Sequence, residues 1–531
     1  MNNDELIKKA EQEIDLAFFA NKLKDIGYTQ AVWTLLSVVE YHHLKIKEIL
    51  PISDEQSYTY VDNLISCLSY PLRVCLKESD KNSNKLNKEM ISPHYILAQE
   101  WMEKSFDYRG FCAIFPLWYR KKLQITLDKN ELISCEDFSI LEPQYEAYNR
   151  LFIKQSGIDS NKNLDLTQIV DKVIKNTDFD KKNKSFKVNF NLKLVSYLIP
   201  LCKELSSNSY NLPEDWQFSD FTILQFKSVF TTIQALGFAW YIARSIAARQ
   251  MLGLAYKSSV LVISKQNLIS DVAKYSEVPR YIVKNICQKI TFGCSGIRDP
   301  DIAIQPLIDL CNGNYAISPF VWMHVDPERN LCVLLNQIES EKKLYSSLVQ
   351  SKEVILRSEF IKIAISLGLD YKFGAIENTD IDLALIDRYQ KICLVMELKW
   401  FIEPAEIREC FDRSKELDKG VKQALKIKNA YKNSSKKLVE EVLDIETDYD
   451  FFAIVVSKNW IGHFDVQHPD VPIIKSEHLI KKMESTRSLS DTISWLITRA
   501  YLPKEGKDFN IGYIDIKLGD WQSKRFCINP I

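Results

Sequence analysis

Asp382, Glu397 and Lys399 stand inside two short apolar runs of the segment IDLALIDRYQKICLVMELKW. The runs, Ile381 to Ile386 and Ile392 to Lys399, have the length and content of strands. The polar stretch Asp387-Arg388-Tyr389-Gln390-Lys391 reads as the turn between them. Residues two apart on a strand share a face, so Glu397 and Lys399 project together. Asp382 can face them from the paired strand. An ionised side chain among Ile, Leu, Val and Met is costly unless it pairs or binds a cation. Oxygen ligands of this kind suit a hard divalent metal. No His or Cys stands among the candidate ligands, which favours Mg²⁺ or Mn²⁺ over zinc.

A plainer arrangement uses the same residues: a strand-edge salt bridge between Glu397 and Lys399, with Asp382 capping a turn. Asp380 has the same strand parity as Asp382 and is a second candidate for the aspartate position. Asp382 is preferred because it lies within the apolar run.

The elements around these strands follow from periodicity. Residues 339–367 read as a helix with Leu344, Leu348, Ile355, Phe360 and Ile363 inward, ended by Gly368. Tyr371 to Ala375 reads as a first strand. A long helix is expected from Pro404 to about Tyr431. Asp450 to Ser457 and Val471 to Ile474 read as further strands, and Ser476 as the cap of a following helix. The order is helix, three strands, helix, two strands, helix. It predicts a mixed sheet flanked by helices on both sides.

This order, with Asp382 followed by Glu397-Leu398-Lys399, resembles the PD-(D/E)xK nuclease superfamily over residues 340–480. The resemblance implies a restriction-endonuclease-like α/β fold and Mg²⁺-dependent hydrolysis of phosphodiester bonds. It implies that Asp382, Glu397 and the backbone carbonyl of Leu398 hold the metal, with Lys399 beside the attacking water. It makes Glu359, on the preceding helix, and Gln423, on the following one, further candidate site residues. Ile381 stands where the family's name places a proline. No Tyr stands four residues after Gln423, so the Gln-Tyr pair of some members is absent. By analogy of fold, the implied setting is restriction or defence against foreign DNA, with an endonuclease expected. The alternative is a catalytically silent nuclease fold that binds nucleic acid or scaffolds an assembly.

The rest of the chain limits these readings. Net charge is −1, so no global basic field attracts nucleic acid, and any such surface is local. Between Pro404 and Lys437 there are ten basic residues against five acids, a tract suited to a phosphate backbone or simply to a solvated helix face. Twelve cysteines without a CxxC pair point to a reducing, cytoplasmic setting. The first residues do not resemble a secretory signal. The apolar stretch Ser228 to Ala243 is too short to span a bilayer, so no membrane partner is expected.

Residues 264–292 have helix-turn-helix spacing. Ser264 caps a helix with Leu268, Ile269, Val272 and Ala273 inward. Ser276-Glu277-Val278-Pro279 is the turn. Ile282, Val283, Ile286 and Ile290 line the second helix, which carries Arg280, Lys284 and Lys289. Such a unit either packs as an ordinary helical hairpin or enters a DNA groove. Asn312-Gly313-Asn314 marks a hairpin turn. Trp460, His463 and Phe464 line the cleft or close the core. The tail after Lys504 alternates like strands and is expected at the edge of the C-terminal domain. The expected organisation is a helical domain at 1–155, a connector and helical region at 156–260, a helix-turn-helix-like unit with a hairpin at 261–338, and an α/β domain at 339–531. The large, mainly α-helical N-terminal region is the natural seat of recognition, of a protein partner or of homodimer contacts. DNA is favoured over RNA as the nucleic-acid partner.

Overall fold

In the computed structural model, the described residues are 3–49, 54–121, 123–135, 143–149, 166–205, 212–250, 254–349, 352–376, 379–402, 407–462, 466 and 468–531. Helices α1 (Asn3–Phe19), α2 (Tyr28–Ile49), α3 (Asp54–Glu78) and α4 (Ser92–Tyr119) come first. In α1 the apolar residues Ile7, Ala10, Ile14 and Phe18 recur at helical spacing and are buried together. Phe18 stacks on Tyr108 of α4, centroids 4.1 Å apart. Strands β1 (Gln124–Asp128) and β2 (Glu131–Cys135) form a hairpin inside the stretch expected to be helical.

The connector carries a short helix, α5 (Leu166–Lys175). It also carries a hairpin, β3 (Thr177–Asp180) and β4 (Ser185–Val188). Helices α6 (Leu192–Leu205), α7 (Ile223–Gln250) and α8 (Leu254–Lys257) follow. The stretch Ser228 to Ala243 is part of α7, packed in the core. Among the described residues no helix is long and apolar enough to cross a membrane. Near the end of α7, fully buried Arg244 reaches Glu40 of α2, Nη1 to Oε2 2.7 Å, and donates to the carbonyls of Ala255 and Ser259. Glu40 also accepts from Ser318 Oγ and from the Phe320 N–H.

Next come β5 (Leu261–Ser264), α9 (Lys265–Ser276), α10 (Arg280–Lys289), β6 (Leu307–Asp309), β7 (Asn314–Ile317), α11 (Pro319–Met323) and α12 (Pro327–Gln337). The expected turn at Asn312-Gly313-Asn314 joins β6 to β7, with Gly313 at φ 85°. Asp326 caps α12 through the Arg329 N–H.

The C-terminal part runs α13 (Glu339–Val349), α14 (Lys352–Leu367), β8 (Asp370–Ile376), β9 (Thr379–Asp387), β10 (Ile392–Lys399), α15 (Ile407–Lys432), β11 (Asp450–Ser457), β12 (Ile473–Lys475), α16 (Ser476–Thr486) and α17 (Leu489–Ile497). The stretch expected as one helix over 339–367 is helical on both sides of residues 350 and 351, which lie outside the described residues. Pro404, His463 and Phe464 lie outside the described residues, as does the side chain of Arg408. The five-stranded sheet has the order β12-β11-β10-β9-β8. Strands β8, β9 and β10 pair antiparallel, and β10, β11 and β12 parallel. Ile381 to Ile386 and Ile392 to Leu398 are buried without alternation, so both faces of the central strands are covered. Helix α14 packs across β8, β9 and β10, and α15 across β9, β10 and β11. Lys475, not Ser476, is the residue before α16. Ser476 is its first helical residue and gives no side-chain cap.

The tail departs from expectation. Strands β13 (Phe509–Leu518) and β14 (Trp521–Pro530) form a hairpin, but it does not extend the five-stranded sheet. Strand β14 pairs parallel with β2, giving the four-stranded order β1-β2-β14-β13. Trp521 of the hairpin donates its indole N–H to Glu13 of α1 at 2.9 Å. A period-two pattern identifies a strand but not its neighbour.

The Glu40–Arg244 pair gives the helical part a point of failure. Arg244→Met removes one partner and leaves a buried carboxylate, at an expected cost of about 3–5 kcal/mol. The first transition of a thermal melt should fall accordingly. A melt indistinguishable from that of the parent chain would contradict this.

Candidate active site

The site begins where two strands part. Strands β9 and β10 pair from Ile392↔Asp387 to Met396↔Leu383. One step further, Glu397 and Asp382 oppose each other, and the backbone ladder has ended. Two carboxylates side by side repel. The Leu398 N–H, which has lost its place in that ladder, instead donates to Asp382 Oδ2 at 2.8 Å. On its other edge β10 stays paired to β11 through Lys399↔Ser457. Strand β9 is also irregular here. Between Lys372↔Ala384 and Gly374↔Ile381 it sets two residues, Asp382 and Leu383, against one, Phe373. This bulge re-aims a side chain. Asp380 stays close enough for its charge to add to the rise of the Asp382 and Glu397 carboxyls. Asp382 is buried at 5% exposure and Asp380 is exposed.

Glu397 is 2% exposed, and Lys399 Nζ lies 2.6 Å from its Oε1. The expected salt bridge is therefore present. Glu397 Oε2 is buried and has no hydrogen-bond partner. Burial, then the neighbouring Asp382, pushes the Glu397 carboxyl up to about 7. Burial also raises Asp382, against the pull of the Leu398 N–H. For Lys399, burial works against the charge, but Glu397, Glu353 and Asp382 outweigh it and hold the ammonium above its usual range.

Glu353, in the first turn of α14, is the helix acid at this cluster. Its Oε1 is 4.0 Å from Lys399 Nζ. Burial raises its carboxyl, and the charges of Asp382 and Asp380 add to that rise. Glu359, the acid expected from the sequence, lies further along α14 and pairs instead with buried Lys458, Nζ to Oε2 3.2 Å. The Lys458 N–H in turn donates to the Lys399 carbonyl at 2.9 Å. Glu359 thus braces the backbone behind the site and is not part of the carboxylate cluster.

Helix α15 closes the site from another side. A Cβ placed on Gly420 would lie 3.3 Å from Glu397 Cγ and 3.4 Å from Lys399 Cε. A glycine here allows the helix to approach this closely. Gln423 follows one turn later, partly exposed, with no hydrogen bond to the three central residues. The basic tract of α15 is locally neutralised: Lys415 pairs with Asp412, Lys419 with Glu416 and Lys422 with Asp418. Such exposed pairs weaken its pull on phosphate. Trp460 is buried and closes the core.

Among the described residues, no three His, Cys, Asp or Glu side chains form a group that could hold a metal ion. Two acids, Asp382 and Glu397, meet with an orphaned buried oxygen. A Mg²⁺ ion commonly takes only one or two carboxylates and keeps waters. The donor set fits such an ion. Comparison of the chain with protein-family models, curated proteins and solved structures gives no match.

The raised Glu397 carboxyl has a definite sign in stability. The folded protein holds a proton on Glu397 that the unfolded chain releases near 4.5. Stability from this group is therefore full below that value and is lost as pH rises through about 7. In EDTA, Glu397→Gln should remove this loss, gaining up to about 3 kcal/mol relative to the parent at pH 8 but little at pH 4. Urea midpoints at both pH values give the comparison. An equal difference at both would contradict the assignment.

Proposed function

We propose that the chain is a divalent-metal-dependent nuclease whose C-terminal sheet is the restriction-endonuclease-like core of the PD-(D/E)xK superfamily. One observation carries the reading. Asp382 and Glu397 oppose each other where β9 and β10 part, with Lys399 on the same face and an unpartnered oxygen on Glu397. Asp382, Glu397 and the Leu398 carbonyl would hold Mg²⁺ or Mn²⁺. When bound, the cation offsets charge developing on the phosphoryl and leaving oxygens and lowers the pKa of a water. Lys399 keeps its proton and orients the attacking water or steadies the phosphate as a point charge. Glu353 is the more exposed carboxylate of the cluster, placed to exchange a proton with a water at the mouth. Glu359 and Gly420 act through others: one braces the strand ends, the other lets α15 hold Glu397 and Lys399 in place. DNA is the favoured substrate, internal cleavage the favoured mode, and defence against foreign DNA the favoured setting. With one site per chain, cutting both strands calls for two copies.

One observation favours the second reading, a non-catalytic nucleic-acid scaffold: the Glu397–Lys399 pair is closed, and among the described residues no third His, Cys, Asp or Glu joins Asp382 and Glu397 to hold a metal. The two readings separate on one assay. Plasmid, linear DNA and RNA are incubated with Mg²⁺, Mn²⁺ or EDTA, beside Asp382→Ala and Lys399→Ala. Metal-dependent cleavage, lost by about a hundred-fold or more in both variants, is expected. Binding without cleavage on every substrate selects the scaffold, and undiminished cleavage in both variants removes the site assignment.

Gly420 supplies a finer test. Gly420→Ala adds a methyl group that Glu397 and Lys399 must accommodate by a few tenths of an ångström. Cleavage should fall about ten-fold while thermal stability stays within about 1 kcal/mol, since alanine also favours the helix. Full activity in this variant would show that the close approach of α15 does not position the site.

A further inference from the structure

The catalytic reading leaves residues 261–317 without a role. Their connectivity is β5, α9, α10, β6, β7, and the three strands form an antiparallel sheet of order β5-β7-β6. The unit is a helix-turn-helix carrying a β-wing, with α9 and α10 packed on α7. Ser264 caps α9 through the Asn267 N–H, Glu277 takes the left-handed turn position at φ 57°, and buried Val278 anchors the turn. Helix α10 buries Ile282, Val283, Ile286 and Cys287. Its opposite face is exposed and presents Arg280, Tyr281, Lys284 and Gln288, with Tyr281 67% exposed. The helix RYIVKNICQK contains no acid; exposed acids near it are Glu277 in the turn and Asp220, which meets Lys289 at the inner end. The exposed stripe differs from α15, where Lys415, Lys419 and Lys422 each pair with an acid of the same helix. Arg280 and Lys284 have no ion pair among the described residues, whereas Lys289, at the inner end, pairs with Glu341 and Asp220.

We propose that α10 is the reading helix of a duplex-DNA-binding unit, laid in the major groove with Arg280, Tyr281, Lys284 and Gln288 toward the bases and phosphates. An α-helix is about 10–12 Å across with its side chains and fits a groove about 12 Å wide. Arginine and lysine match the guanine O6 and N7 acceptors, and glutamine matches the adenine N6 and N7 edge. The wing itself is not the reader. The Leu310 carbonyl in its turn accepts from Thr29 Oγ1 at 2.6 Å, which ties the hairpin to α2. The preferred duplex is B-form, because the major groove of an RNA helix is too deep and narrow for a helix to enter. This inference rests on α10 alone. Where it meets the nuclease proposal it supplies that site's substrate class.

The test uses the full chain in EDTA, so that binding is read without cleavage. Fluorescence anisotropy follows a labelled DNA duplex of mixed sequence and an RNA duplex of the same sequence over a range of salt. The Arg280→Ala/Lys284→Ala double variant and Tyr281→Ala are compared with the parent and with Lys507→Ala, an exposed control. DNA affinity should fall about ten-fold or more in the double variant, and its log–log salt slope by about two. Tyr281→Ala should weaken DNA binding, and Lys507→Ala should leave it unchanged. All changed residues are exposed, and unchanged thermal melts will show that the fold is kept. Absence of duplex-DNA binding by the parent, unchanged affinity in the double variant, or equal losses on DNA and RNA duplexes overturns the proposal. Binding through α10 with no cleavage in Mg²⁺ leaves it standing and defeats only the catalytic reading.

Discussion

The C-terminal domain is organised by the difficulty of keeping two carboxylates dry beside each other. Asp382 and Glu397 sit at the ends of strands that are otherwise buried on both faces. Neither could remain there without compensation. The backbone gives up a ladder position so that the Leu398 N–H can serve Asp382, and Lys399 serves half of Glu397. The other half, Oε2, is left without a partner. A sheet evolved for stability alone would carry aliphatic residues at these positions, since apolar replacements of buried ion pairs are often neutral or stabilising. The retained polar cluster and the strand parting therefore belong together.

The surrounding elements serve that arrangement at graded distances. Helix α15 approaches closely because Gly420 presents no side chain. Helix α14 brings Glu353 to the open side and ties Glu359 to Lys458 on the closed side. The Lys458 N–H then fixes the Lys399 carbonyl, so the lysine is held through its backbone and its ammonium group. The electrostatics are deliberately unbalanced. Burial first, and then the charge of neighbouring carboxylates, raises the carboxyls of Glu353, Asp382 and Glu397. A cluster in that state gains from added positive charge.

Much of this domain was legible in the residues. Strands β10 and β11 have the bounds read from their apolar runs, each preceded by a polar turn. The facing of Asp382 and Glu397 followed from strand parity and a short hairpin. What parity could not show was the bulge, which separates Asp380 from Asp382 by burial. The choice between Glu353 and Glu359 was also hidden. Both acids lie on one helix, and which turn meets the strand ends depends on how α14 crosses the sheet, a tertiary fact with no local signature. The hairpin β1–β2 and the partner of β14 were missed for a related reason. Alternation marks strands, and their neighbours here come from opposite ends of the sequence.

That last pairing sets an order of events on the chain as it is made. Gln522 pairs with Glu131 and Ser523 with Leu132, at a separation of 391 residues. Until β14 exists, the hairpin β1–β2 has an open edge with its amide and carbonyl groups unsatisfied, and Trp521 has not reached Glu13 on α1. Closing so long a loop adds slowly to the entropic cost, but it delays the contact until synthesis has passed the entire sheet that carries Asp382 and Glu397. The contact of α1 with Trp521 thus forms only after the strands bearing the acid cluster have emerged. The last hairpin acts as a latch in time as well as in space.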